Sequence, residues 1–318
     1  MAKKKWIIIA VCVVCVLLAV GGAIYGINKY KKDNISFTIE DTLSEVPGKK
    51  AKVILLAGQS NASGCSIDAY LEKNVSSEKY AEYKEGYDTI YINYYSSGEN
   101  ISNGFVKTST NQGETDKNFG PEVGLAEKLQ ELYPNETFFI LKFAWGATDL
   151  FSQWLSPSSD GATGYLYRNF VRYVKQNMKY LSSKGYEPVI EGLCWMQGES
   201  DSFSVENATN YEIHLKNFIA DIRDDLSKYA SEDGIAFVDA SIADNPVYWV
   251  YCDLVNASKK AVAESSDSNV LIDTNAYGLA CDKEPEESPD IPHYDSLSQI
   301  RLGNLFGEQV ALFLDKTK

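Results

Sequence analysis

Histidine is nearly missing from this 318-residue chain: there are two, His214 and His293. With so few, and no carboxylate or thiol beside either at ligand spacing, the sequence offers no recognisable metal site. Six cysteines are also few. Two fall in an apolar run near the amino terminus, and Cys65, Cys194, Cys252 and Cys281 are scattered without metal-ligand spacing. That excludes a dense disulfide framework, although one bridge, for example Cys252 to Cys281, stays open outside the cell. Positive charge is short as well. Thirty Lys and Arg face 44 Asp and Glu, and of the net −14, residues 1–33 hold +5 (six Lys, one Asp), which leaves −19 for the rest. So acidic a body excludes nucleic acid and polyanionic substrates but admits neutral sugar polymers. Neither an internal repeat nor a low-complexity segment is found.

What is present begins with Lys3-Lys4-Lys5 and then Trp6 to Ile27, an uncharged, mostly apolar run long enough to cross a bilayer as a helix. Residues 1–33 are expected to be a membrane anchor or a signal segment. Val20-Gly21-Gly22-Ala23 is a poor cleavage site, which favours an uncleaved anchor with the catalytic part outside the cell; cleavage would give a secreted protein. Residues 34–50 read as a tether and 51–318 as the catalytic domain. With 44% apolar and 23% charged residues, the chain has the composition of a globular protein and the length for one large α/β domain.

Within it, Val53 to Ala57 is a short run without alternation, the mark of a strand buried on both faces. Thr89 to Tyr95, Phe138 to Phe143, Val189 to Trp195, Ile235 to Val238 and Val270 to Ile272 are further strands. Helical stripes lie after Pro121, from Tyr165 to Ser183, from Tyr211 to Leu226, from Tyr251 to Ala263 and from Ser298 to Leu314. Ser66 to Gly86 is polar, and Ser96 to Asn118 reads as a long surface loop of the kind that carries function. The alternation predicts a three-layer α/β/α sandwich around a mostly parallel sheet, flavodoxin-like in layout.

In such a sheet ligands bind at the carboxyl ends of the strands. Ser60 leaves the first strand there. Alone it reads most simply as a helix-capping serine. Asp290 and His293, at i and i+3, change that: the Asp can hold Nδ1 of the imidazole and leave Nε2 free to take the serine proton. His214 lies between Ile213 and Leu215 in an amphipathic helix and has no partner signal. The Gly-x-Ser-x-Gly elbow is absent, because position 62 is Ala.

Four blocks in order, Gly58-Gln59-Ser60-Asn61, Trp145-Gly146-Ala147-Thr148, Trp195-Met196-Gln197-Gly198-Glu199-Ser200-Asp201 and Asp290-Ile291-Pro292-His293, resemble the SGNH hydrolase superfamily. The opening block and the Gln-Gly-Glu-x-Asp block resemble its branch of sialate O-acetylesterases and acetylxylan esterases, as does Phe119-Gly120-Pro121-Glu122. The resemblance implies Ser60 as nucleophile, His293 as base and Asp290 as its orienter. It implies an oxyanion hole from the Ser60 and Gly146 N–H groups and the Gln197 side chain. Gln59, Asn61, Trp145 and Glu199 are expected to bind substrate or support the site, with no cofactor or metal. Trp145, Trp154, Trp195, Tyr94 and Tyr95 are candidates for stacking on sugar rings, although such residues more often fill a core than line a groove. The expected reaction is removal of O-acetyl groups from carbohydrate, xylan-type or sialic acid. An O-acetyl-peptidoglycan esterase and a non-catalytic carbohydrate-binding protein are the alternatives.

Overall fold

The computed structural model describes residues 33–315. The expected membrane-crossing run, Trp6 to Ile27, lies outside the described residues. Among the described residues no helix is long and apolar enough to cross a membrane. The chain divides into two units, residues 1–37 and 38–318, and the second carries everything below. Part of the expected tether belongs to that unit: Glu40 N donates to Asn103 O at 2.6 Å, and Thr42 N and Leu43 N both donate to the Tyr180 hydroxyl at 3.1 Å.

Strand β1 (Lys49–Gly58) carries Val53 to Ala57, all fully buried, as its unbroken apolar run requires. A one-turn helix, α1 (Ser60–Ser63), follows. The polar stretch after it folds into β2 (Ser66–Ile67), α2 (Asp68–Asn74) and α3 (Ser77–Glu85). These two helices escape a periodicity reading because their apolar face is small. Leu71 and Tyr83 bury it against Phe119, Val123 and Ile300. Ser76 caps α3 by accepting from Lys79 N at 3.2 Å.

Next come β3 (Ile90–Ser96), β4 (Asn100–Ile101), β5 (Val106–Lys107) and β6 (Asn118–Phe119). The expected loop thus contains two two-residue strands and runs into a third. Then α4 (Glu122–Leu132), β7 (Phe138–Ala144), α5 (Tyr165–Ser183), β8 (Tyr186–Met196), α6 (Val205–Asp225), β9 (Ala236–Ala240), α7 (Cys252–Glu264), β10 (Asn269–Ile272) and α8 (Ser296–Leu314) complete the alternation. The sheet runs β10-β9-β8-β1-β7-β3 with all these pairs parallel, and β4 and β5 pair antiparallel with β3. Gly58 stands opposite Ala144 on one side and Met196 on the other, so β1, β7 and β8 end at one level.

Helices α4 and α8 pack together on one face, and α5, α6 and α7 cover the other. Under α5 and α6 lies an aromatic core. Trp154 meets Trp195 edge-on at 5.2 Å, Trp195 meets Phe218 at 4.6 Å, and Phe143 meets Phe170 at 6.0 Å. Trp154 and Trp195 are completely buried, so they serve the core and stack on no sugar. The bridge left open between Cys252 and Cys281 does not form: Cys65, Cys194, Cys252 and Cys281 are all free.

On the other face two glycines set the spacing of α4 and α8. A Cβ on Gly124 would stand 2.0 Å from Ile300 O, and one on Gly303 would stand 2.1 Å from Pro121 O. In an open helix Gly→Ala gains about 1 kcal/mol of propensity. Here overpacking, about 1–3 kcal/mol or more, outweighs it. Gly124→Ala is expected to lower the urea midpoint, and a raised midpoint would contradict the close approach.

Candidate active site

The turn that carries Ser60, the expected nucleophile, is built by Gly58. Its φ is +140°, and a Cβ there would lie 1.9 Å from Met196 O, so glycine alone lets β1 turn across the end of β8. Gln59 N donates to Met196 O at 2.9 Å. The Gln59 side chain then binds the neighbouring block, its Oε1 accepting from Gly198 N at 3.3 Å and Ser200 N at 3.2 Å. Gln59 therefore supports the turn from below. Ser60 opens α1, 9% exposed, with its backbone N–H in the unpaired first turn.

The histidine arrives on the loop before α8. His293 N donates to Asp290 O at 2.9 Å, and Nδ1 lies 2.7 Å from Asp290 Oδ2. That is the pairing that leaves Nε2 free. Asn61 joins this loop to the nucleophile. Its Nδ2 donates to Pro292 O at 3.2 Å, and its Oδ1 accepts from Tyr294 N at 3.1 Å, so both neighbours of His293 are fixed to the residue after Ser60. Tyr294 is buried, with its hydroxyl on Thr274 Oγ1 at 3.1 Å and its carbonyl accepting from Ser66 Oγ at 2.6 Å.

Glu199 completes the clamp by accepting from Asn61 Nδ2 at 2.8 Å, while its Oε2 is buried without a partner. Burial pushes its carboxyl above the usual range, opposed by the Asn61 bond. Glu199 thus reaches His293 through the Asn61 amide.

The two remaining expected oxyanion donors have acceptors inside the protein. Gly146 N donates to Ser97 Oγ at 3.0 Å. Gln197 is completely buried, with Nε2 at 2.6 Å from Asp201 Oδ2, 3.0 Å from Thr148 O and 3.3 Å from Gln59 Oε1. Its Oε1 accepts from the Tyr211 hydroxyl at 2.9 Å. An amide nitrogen has two hydrogens, so in this structure Gln197 braces the floor of the site and does not point into it. Trp145, half-buried, stands beside Gly146 with Tyr95 at 6.2 Å and Tyr165 at 6.4 Å. His214 packs against Phe151 at 5.4 Å, apart from this constellation.

Two residues here went unpredicted, Ser97 and Glu114, whose Oε1 accepts from the Ser97 hydroxyl. Ser97 directly follows β3, so its place at a strand's carboxyl end was a usable signal. For Glu114, one acid in a polar loop, the sequence holds none. Among the described residues, no group of three or more His, Cys, Asp or Glu is arranged to hold a metal ion.

Asn61→Ala is expected to lower kcat by about a hundredfold by releasing the histidine loop, since a shift of about 1 Å costs that much. An unchanged kcat would show that Asn61 is not the clamp. Asp201 gives a pH dependence. Burial pushes its carboxyl up to about 7, against the N–H groups of Leu150 and Phe151 and the Gln197 amide, which favour the ion. A raised value means that the folded state holds a proton the unfolded chain has released, so this contribution is full below about pH 4 and lost as pH rises through 7. Between pH 5 and 7 the stability of wild type relative to Asp201→Asn should fall by up to about 1.4 kcal/mol per pH unit. Parallel denaturation curves would show an Asp201 that stays ionised.

Comparison with known proteins gives the family and the fold. Residues 50–311 match the family described as carbohydrate esterase, sialic acid-specific acetylesterase. No curated protein matches the chain. Among solved structures, NanS is similar with a TM-score of 0.61 at 14% identity, over 85% of this chain and 99% of that one. A protein from Arabidopsis thaliana reaches 0.59 at 18% identity, over 82% and 97%. A carbohydrate acetylesterase from Xanthomonas citri reaches 0.52 at 14% identity, over 82% of this chain and 56% of that one. At these identities the likeness to solved structures is one of fold. The family match covers most of the chain, and the chain belongs to the carbohydrate esterase family of sialic acid-specific acetylesterases.

Proposed function

We propose that the protein hydrolyses O-acetyl esters of carbohydrate through an acyl-enzyme on Ser60. The observation that carries this reading is the Asp290–His293 pair, held by Asn61 against the turn that bears Ser60. Ser60 Oγ attacks the acetyl carbonyl as His293 Nε2 takes its proton. The tetrahedral intermediate collapses, and the same proton passes to the departing sugar oxygen. Water then repeats the sequence on the acetyl-serine and releases acetate.

The Ser60 N–H meets the developing oxyanion. Gly146 N–H joins it when the Ser97 hydroxyl gives way. One such donor is worth about 3 kcal/mol in the transition state. Substrate approaches along an open edge walled by Trp145. A groove of about 1030 Å³ lies elsewhere, between α5 and the end of α6, lined among others by Arg172, Lys179 and Lys228.

The apolar run from Trp6 to Ile27 supports an enzyme held at a membrane with its catalytic domain outside. Amino-terminal sequencing of the protein recovered from cells separates this from a cleaved, secreted form.

A fluorophosphonate probe should label the wild type at Ser60 and leave Ser60→Ala unlabelled. Acetate release from acetylated sugars should fall about ten-thousandfold in Ser60→Ala and in His293→Ala. A folded wild type that neither labels nor releases acetate would sink the proposal.

A further inference from the structure

Glu114 lies in the loop between β5 and β6, and three bonds fix it there. Its backbone N donates to Gly64 O at 2.7 Å, Cys65 Sγ donates to Oε2 at 3.0 Å, and the Ser97 hydroxyl donates to Oε1. The loop beneath is tied down as well. Lys142 Nζ donates to Gln112 O at 2.8 Å, and Asn100 Nδ2 donates to Asn111 O and Gly113 O at 3.1 Å each.

This places the carboxylate over the Gly146 side of the active site. Ser97 Oγ, which binds Oε1, accepts from Gly146 N at 3.0 Å and lies 3.3 Å from Ser63 Oγ in the nucleophile helix. A Cβ on Gly146 would stand 2.7 Å from Glu114 Oε1, so a side chain at that position would displace the carboxylate. Gly146 follows Ala144, which is in register with Gly58, two residues before Ser60. An acetyl group on Ser60 therefore has Glu114 on one flank.

Glu114 is half-buried, and a carboxylate has about four acceptor positions, of which Ser97 and Cys65 fill two. Lys142, the cation beneath this loop, is completely buried and held by Glu122 Oε2 at 2.7 Å. It offers nothing to a substrate anion. Across the site the half-exposed Asp290 adds a second negative charge.

We propose that Glu114 is a specificity-determining residue: its carboxylate receives a hydroxyl of a neutral sugar beside the acetylated position and repels sugars that carry a carboxylate. This rests on the O-acetylesterase reading above. The substrate class it selects is neutral acetylated glycan over acetylated sialic acid.

The test compares kcat/KM of the whole protein for an acetylated xylo-oligosaccharide, for 9-O-acetyl-N-acetylneuraminic acid and for p-nitrophenyl acetate, which has neither hydroxyl nor charge. Wild type should prefer the neutral sugar. That preference should shrink from 20 to 300 mM salt, because screening weakens the repulsion. Glu114→Gln, of the same shape, should narrow the ratio about tenfold, through a lower KM for the sialate and a higher KM for the xylo-oligosaccharide. Equal changes for both sugars would reduce Glu114 to a brace for Ser97 and overturn the proposal. So would a wild type that prefers the sialate, or one that cleaves p-nitrophenyl acetate and neither sugar. No turnover of any of the three would instead strike the esterase reading. If Glu114→Gln does not fold, the salt dependence of the wild-type ratio decides: a ratio that ignores salt overturns the proposal.

Discussion

The Asn61 carboxamide is where three distant parts of the chain meet: 138 residues separate it from Glu199 and 231 from Pro292. It is almost fully buried, so each of its polar atoms must find a partner in the protein. Leaving one unmet costs about 1–3 kcal/mol, and that penalty opposes any displacement of the histidine loop. Its backbone oxygen is taken too, by Gln299 Nε2 at 2.7 Å on α8. The turn that carries Ser60, the histidine loop and the first turn of α8 are thereby tied to one residue. Catalytic geometry and folding stability share the same bonds.

Beneath that clamp, the parallel sheet sets the level at which the strands end, and two buried ion pairs tie helices to it. Lys142 on β7 binds Glu122 of α4 at 2.7 Å, and Lys259 of α7 binds Asp239 on β9 at 2.6 Å. Burial lowers the Lys142 amine and lifts the Asp239 carboxyl to about 6, each opposed by its partner. Apolar residues of similar volume often stabilise a core as well or better. What apolar residues cannot supply is the third bond, from Lys142 to Gln112 O, which reaches from the core into the loop that carries Glu114. The pair fixes a position as well as holding an interior.

Legibility in the sequence followed how far each signal is local. The buried run of β1, the glycine turn before Ser60 and the Asp290–His293 spacing are short-range patterns, and each lies where the sequence places it. The helices between Asp68 and Glu85 were missed because a small apolar stripe among charges gives no period. Trp154 and Trp195, candidates for ring stacking whose commoner place is a core, fill the space beneath α5 and α6. Side-chain direction is the least legible feature. Gln197 stands in the right block at the right strand end, but Asp201, Thr148 and Tyr211 determine where its amide points, and no spacing rule reports that.

The direction of those amides bears on the chemistry. Gly146 N–H rests on a neutral hydroxyl, Ser97 Oγ, held in place by a left-handed serine backbone with φ +51°. A neutral ester carbonyl is no better an acceptor than that hydroxyl, so ground-state binding gives little reason to exchange one for the other. An oxyanion is different, because a hydrogen bond to a charged acceptor is roughly twice as strong. The exchange therefore becomes favourable as charge develops, which concentrates the stabilisation in the transition state. Gln197 faces the opposite balance. Its nitrogen lies 2.6 Å from the Asp201 carboxyl, and leaving that buried group unmet would offset what a charged partner offers. Under the proposed mechanism the Gly146 N–H is the donor that can be recruited during the reaction, and Gln197 stays in place to hold the floor beneath it.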